Sequence, residues 1–174
     1  MWRLSARIAL HHVQAALWDP ESFARRWQTG ESVYRWPVWA GLAFTAILGT
    51  FTYGMSMGLL SGPAEVLRKG IACTTAAGLA WAIPLPALYI LNSLTGSRLS
   101  IGSTVLAALV TTSWGGLAMI ASIPINWLFS TAVPVGTFVL LINLVIFAGV
   151  GVAMCDVFRR VMERIEPSRP HPPM

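Results

Sequence analysis

The chain reads as an all-α, polytopic transmembrane helical bundle, and three observations lead there. Four apolar stretches, 37–60, 70–94, 101–123 and 137–157, are each long enough to cross a hydrocarbon core of about 30 Å at about 1.5 Å rise per helical residue. None contains Lys, Arg, His or Glu, and Asp156 stands only at the very end of the last. Charged residues make up 11% of the 174, against about 25% in soluble domains, and the mean hydropathy is +0.64. The expected organisation is an N-terminal amphipathic segment (1–36), a helical bundle (37–157) and a cytoplasmic helix extension with a Pro-rich tail (158–174).

Residues 1–18 fit a helix in which Arg3, Arg7 and Gln14 share a narrow stripe and Trp2, Leu4, Ile8, Val13, Leu17 and Trp18 occupy much of the rest. Such a helix suits the headgroup layer, or docking on a partner's helices. No cleavable signal peptide is expected there, because His11 and His12 interrupt the apolar run. Asp19-Pro20-Glu21 reads as a new helix start, with Asp as N-cap, Pro in the first turn and Glu favoured by the helix dipole. Phe23, Trp27 and the Arg25/Arg26 pair make this second short helix amphipathic.

Trp36 and Trp39 bracket Pro37 where the first span enters the membrane, a depth that suits indole rings. Gly54 and Gly58 sit four apart in that span and offer a small face for close helix approach. Residues 61–69 read as a turn and a short interfacial piece. The second span carries Pro84 and Pro86, which predict a kink near 82–86 because each lacks a backbone donor. The third contains Thr111, Thr112 and Ser113, whose hydroxyls project in different directions and form no single site.

The stretch 122–136 is bounded by Pro124 and Pro134 and is too short to span. It is expected to be re-entrant or to lie on the outer surface with Asn126 and Trp127 at the interface; the alternative is a fifth, distorted span. Asn143 is the one strongly polar side chain deep in the last span, and an interhelical hydrogen bond is its expected role. The helix is expected to continue beyond Cys155, with Val157, Phe158, Val161, Met162 and Ile165 on one face and an Arg159–Glu163 pair.

The formal net charge is +5, but the cations flank the spans instead of forming a patch for nucleic acid. With both termini inside, ten of the twelve Lys and Arg lie on the inner side and only Arg68 and Lys69 outside. The positive-inside rule then places both termini in the cytoplasm. Cys73 and Cys155 fall at opposite membrane faces in this topology, too far apart for a disulfide, and read as small packing residues.

No nucleophile–base set, phosphate-binding loop, dinucleotide fingerprint, zinc motif or carboxylate pair is present, so neither catalytic nor metal-binding residues are expected. The residues 84–100 (Pro-Leu-Pro-Ala-Leu-Tyr-Ile-Leu-Asn-Ser-Leu-Thr-Gly-Ser-Arg-Leu-Ser) and 123–129 (Ile-Pro-Ile-Asn-Trp-Leu-Phe) resemble bacterial members of the broad Yip1-like group of small polytopic membrane proteins. The resemblance covers about a third of the chain. It implies a cytosolic N-terminal segment, usually five spans, and no catalysis. Eukaryotic members of the group act in vesicle traffic, but here only four spans are clear and no long N-terminal region for small-GTPase binding is seen, so no trafficking role follows.

The leading functional expectation is a non-catalytic integral membrane subunit or scaffold of the bacterial inner membrane. It would pack against other membrane proteins and lipids through Gly54, Gly58, Asn143, Trp2, Arg3, Arg7 and Trp18, without a cofactor. A second expectation is a small transporter or channel for a neutral or lipid-like solute, its path built from Pro84, Pro86, Asn143 and 122–136. A third is a subunit carrying a quinone or pigment in grooves lined by Trp81, Trp114 and Tyr89.

Overall fold

The computed structural model describes residues 11–28, 36–94 and 101–165, and the described residues contain helices and no strand. Residues 11–18 form α1. It is followed by α2 (Pro20–Gln28), α3 (Trp36–Gly58), α4 (Pro63–Ala82), α5 (Pro84–Leu94), α6 (Ile101–Ala132) and α7 (Gly136–Ile165). Among the described residues, four helical stretches are long and apolar enough to cross a membrane: Trp36–Gly58, Pro63–Ala87, Ile101–Ala132 and Gly136–Ile165. The chain is thus an all-α bundle of the integral membrane type.

The central helix is α6, which packs against both α3 and α7, while α4 packs along the outer side of α3. Glycine sets these distances. A Cβ on Gly49 would collide with the backbone of Gly116, so α3 and α6 cross in near backbone contact. The Gly54 and Gly58 face serves α4: a Cβ on Gly54 would sit 2.6 Å from the Lys69 carbonyl oxygen, and one on Gly58 2.6 Å from the Val66 Cα. Such close backbone approach is how membrane helices gain dispersion contact without a hydrophobic driving force.

Two expected boundaries differ. Residues 61–69 are not a separate interfacial piece, because α4 begins at Pro63 and runs on unbroken. Gly62 supplies the left-handed N-cap conformation (φ 106°) and Pro63 the first helical position, where its missing N–H costs nothing. The Lys69 ammonium donates to the Met57 carbonyl at 3.0 Å, and so caps the α3 C-terminus.

Residues 122–136 neither turn back into the membrane nor form a fifth span. The helix α6 continues through Pro124 to Ala132, and a short non-helical link at 133–135 leads into α7. Membrane helices tolerate an internal proline where packing re-satisfies the freed carbonyl. The expected break in the second span does form, at Ile83 between α4 and α5.

The first described helix folds onto the helices of the bundle. Val13 and Ala16 of α1 pack with Phe23, Val38, Leu42, Leu106 and Val110. The backbone N–H of Ser22 donates to Asp19 Oδ1 at 3.0 Å, the expected N-cap of α2. Ala24 is buried with Val157, Val161 and Ile165 on the continued face of α7. Glu21 bridges Arg160 at 3.5 Å and Arg164 at 3.1 Å, and Arg159 lies 3.4 Å from Glu163. The two ends of the described chain therefore lie on the same side of the bundle.

Candidate functional site

An apolar chamber of about 670 Å³, half open to the outside of the bundle, lies between α3, α4, α6 and α7. Its position follows from the helix arrangement. The Gly54 and Gly58 contacts hold the first half of α4 on α3, and farther along α4 leans towards α7, where the Trp81 and Phe158 rings meet with centroids 5.6 Å apart. Small side chains leave the space between open: Ala77 and Gly78 on α4, Ala108 and Thr112 on α6, and Gly151 on α7.

The chamber walls carry hydroxyls, but their protons are already committed to helix carbonyls. Thr50 donates to the Ala46 carbonyl at 2.9 Å, Thr74 to that of Gly70 at 3.0 Å, and Thr112 to that of Ala108 at 2.9 Å. A water held in place needs two to four polar partners, and this wall offers few. The chamber thus suits an apolar occupant and is hostile to ions and polar solutes. Towards the middle of the bundle it ends at a core formed by Tyr53, Met119 and Val150, with Phe147 edge-on to Tyr53 at 5.5 Å between ring centroids.

The residues singled out from the sequence do not converge here. Gly54 and Gly58 hold α4 in place. Asn143 is buried beyond the chamber: it accepts a hydrogen bond from the Tyr53 hydroxyl at 2.8 Å and donates to the Val139 carbonyl at 2.7 Å. Trp18 is 88% exposed and takes no part in the packing of α1. Trp2, Arg3 and Arg7 lie outside the described residues. Asn126, expected at the interface, is instead buried; its amide donates to Ser56 Oγ at 3.3 Å, and Ser130 donates to its Oδ1 at 3.4 Å. Trp127 is exposed on α6.

Of the three aromatics considered for a quinone or pigment groove, Trp81 lines the chamber, whereas Trp114 packs against the Val157–Val161 cluster and Tyr89 is not among the lining residues. Leu85, between Pro84 and Pro86, reaches the chamber wall. Cys73, read from the sequence as packing, also lines it, and Cys155 is exposed; both are free thiols. Sequence reasoning missed Ala77, Gly78, Thr112 and Gly151. Gly78 and Gly151 have nothing within 4 Å of an added Cβ, so both face open space.

Comparison with protein-family models, with curated proteins and with solved structures gives no match. The chamber and its surroundings are therefore interpreted from their own chemistry.

Proposed function

We propose that this is a non-catalytic integral membrane protein whose bundle holds a lipid-like, apolar molecule inside the membrane. The observation that carries this reading is the apolar, half-open chamber of about 670 Å³ between four helices. Ligand pockets commonly enclose about 300–1,000 Å³ and are mostly apolar, with a few polar groups fixing orientation. Here the wall hydroxyls are turned to their own backbones, so shape and apolar contact do the selecting. That chemistry argues against a path for polar solutes and favours the lipid-like branch of the solute-handling expectation.

The subunit or scaffold expectation draws on the outer faces of α4 and α7, which are largely exposed and apolar. Bilayer lipid covers such faces as well as a partner protein does, so this reading ranks second. The proposed setting is a bacterial inner membrane with both termini cytoplasmic. The Arg-rich ends support the orientation under the positive-inside rule, and the Yip1-like resemblance supports the bacterial setting.

The test is to extract the full chain from its native membrane in a mild detergent, exchange that detergent exhaustively, and identify what remains bound by mass spectrometry after denaturation. One apolar molecule retained per chain is expected. A protein stripped clean by exchange yet still folded would overturn the reading. A stoichiometric partner protein with no retained lipid would favour the subunit role.

A further inference from the structure

We infer that α1 and α2 form an elbow that seats on anionic phospholipid headgroups, at the end of the bundle where the described chain starts and finishes. This contact is independent of the chamber and of whatever occupies it.

Packing places α1 at the membrane boundary. Val13 Cγ2 stands 2.8 Å from where a Cβ on Gly41 would lie, so α1 sits beside the first turns of α3. Gly41 is only about 7.5 Å along that helix from Trp36, at 1.5 Å rise per residue. Leu106 and Val110, in the first turns of α6, complete the seat. Residues 11–18 include no Lys, Arg, Asp or Glu, and the Val13 and Ala16 face is taken up by the bundle. His11, Gln14 and Trp18 recur at helical spacing on the other side and are exposed. The apolar face is therefore no longer open to a partner's helices, and an outward stripe ending in an indole remains. Trp18 is 88% exposed and Trp36 81%, more than any other large apolar side chain among the described residues. An indole combines an apolar body with a polar N–H and settles where hydrocarbon meets headgroup.

Charge stands farther out. Ala24 of α2 is buried with Val157, Val161 and Ile165, on the part of α7 past Asp156, where the last apolar run has ended. Arg25 and Arg26 come next on α2 and are exposed. The acids around them are engaged: Glu21 pairs with Arg160 and Arg164, and Asp19 accepts the Ser22 N–H at the start of α2. Asp156 and Glu163 pair with Arg159. The elbow thus carries an exposed indole at the boundary and two exposed guanidiniums beyond it, the order in which a leaflet presents its glycerol layer and its phosphates. Guanidinium donors match phosphate oxygens in a bidentate fork, and an anionic leaflet attracts basic residues next to a span. An acidic protein surface would supply the charge but not the hydrocarbon edge that suits Trp18 and Trp36.

The test uses the full chain and two readouts. First, the exposed Gln14, one turn before Trp18, is replaced by photoreactive benzoylphenylalanine and irradiated in native membranes. Phospholipid adducts are expected; a single protein adduct as the main product would overturn the lipid assignment in favour of a partner protein. Second, the delipidated protein is offered equal amounts of dioleoyl phosphatidylglycerol and dioleoyl phosphatidylcholine, and retained lipid is read by native mass spectrometry. The wild type should prefer phosphatidylglycerol. Joint Arg25→Gln and Arg26→Gln substitution should cut that preference by roughly fivefold for each arginine, with an unchanged melting temperature, and joint Arg25→Lys and Arg26→Lys substitution should keep most of it. Equal retention of the two lipids by the wild type, or a preference untouched by the glutamine substitutions, would overturn the headgroup contact.

Discussion

The Tyr53 hydroxyl donates to Asn143 Oδ1 at 2.8 Å, joining α3 to α7 across the middle of the bundle. The two residues stand 90 positions apart, and both are buried. Asn143 also donates to the Val139 carbonyl, so its amide is satisfied on both sides. This pair closes the inner end of the chamber: Phe147, one helical turn after Asn143, lies edge-on to the Tyr53 ring and also lines the cavity.

Removing either partner should weaken the bundle modestly. Interhelical hydrogen bonds in membranes average about 0.6 kcal/mol and reach about 1.7. Tyr53→Phe and Asn143→Leu should each lower stability, and the double variant should lose less than the two combined, with a coupling in that range. Unfolding of the four proteins in mixed micelles measures it. Strict additivity would contradict a direct bond.

Glycine positions should divide sharply by what lies opposite them. Gly49→Ala forces a methyl into the Gly116 backbone and should cost about 1–3 kcal/mol, as overpacking does. Gly149→Ala meets open space and should be neutral, or stabilising by up to about 1 kcal/mol through helix propensity. Equal melting temperatures for these two variants would contradict the α3–α6 crossing.

The N-cap of α2 should respond to acid. Hydrogen bonds from the Ser22 hydroxyl and backbone hold the Asp19 carboxyl below its usual range. Because the folded state favours the charged form, its contribution is complete above the ordinary carboxylate value of about 3.9 and fades as pH falls through the lower folded value. Asp19→Ala should therefore cost about 1 kcal/mol at pH 7, and the cost should vanish in strong acid. Hydrogen exchange at the amides of α2 reports it. An equal cost at both pH values would contradict the capping role.

Apolar burial, not charge, should hold α2 on the bundle. The Glu21 pairs with Arg160 and Arg164 are partly exposed, and such pairs contribute about 0–1 kcal/mol. Phe23 is 1% exposed in the core shared with α1, α3 and α6, and Phe23→Ala should cost about 3–5 kcal/mol. Glu21→Gln should leave a spin-label distance between α2 and the end of α7 unchanged, whereas Phe23→Ala should broaden it. The reverse ranking would contradict this account.

The spans were legible because membrane solvent demands long apolar runs, and the Asp19 cap because it is local chemistry. The Gly54 and Gly58 face was visible as spacing, although only the fold shows that α4 is what it meets. Pro124 misled: a proline reads as a break, yet α6 carries it and thereby buries Asn126 beside Ser56. Asn143 announced that it needed a partner, but nothing local points to Tyr53. The chamber left almost no trace, since Ala77, Thr112 and Gly151 are ordinary residues of membrane helices. A cavity is made by where helices diverge, and that depends on contacts far apart in sequence.

The most direct measurement is the accessibility of Cys73, which lines the chamber. In sealed vesicles bearing the Cys155→Ser protein, a charged, membrane-impermeant thiosulfonate is supplied from each side in turn. With a chamber filled by hydrocarbon, Cys73 should stay unmodified from both sides over a time that fully labels it once the protein is unfolded in a denaturing detergent. Labelling of Cys73 at a comparable rate from either side would mean that water fills the chamber, and would contradict the apolar site.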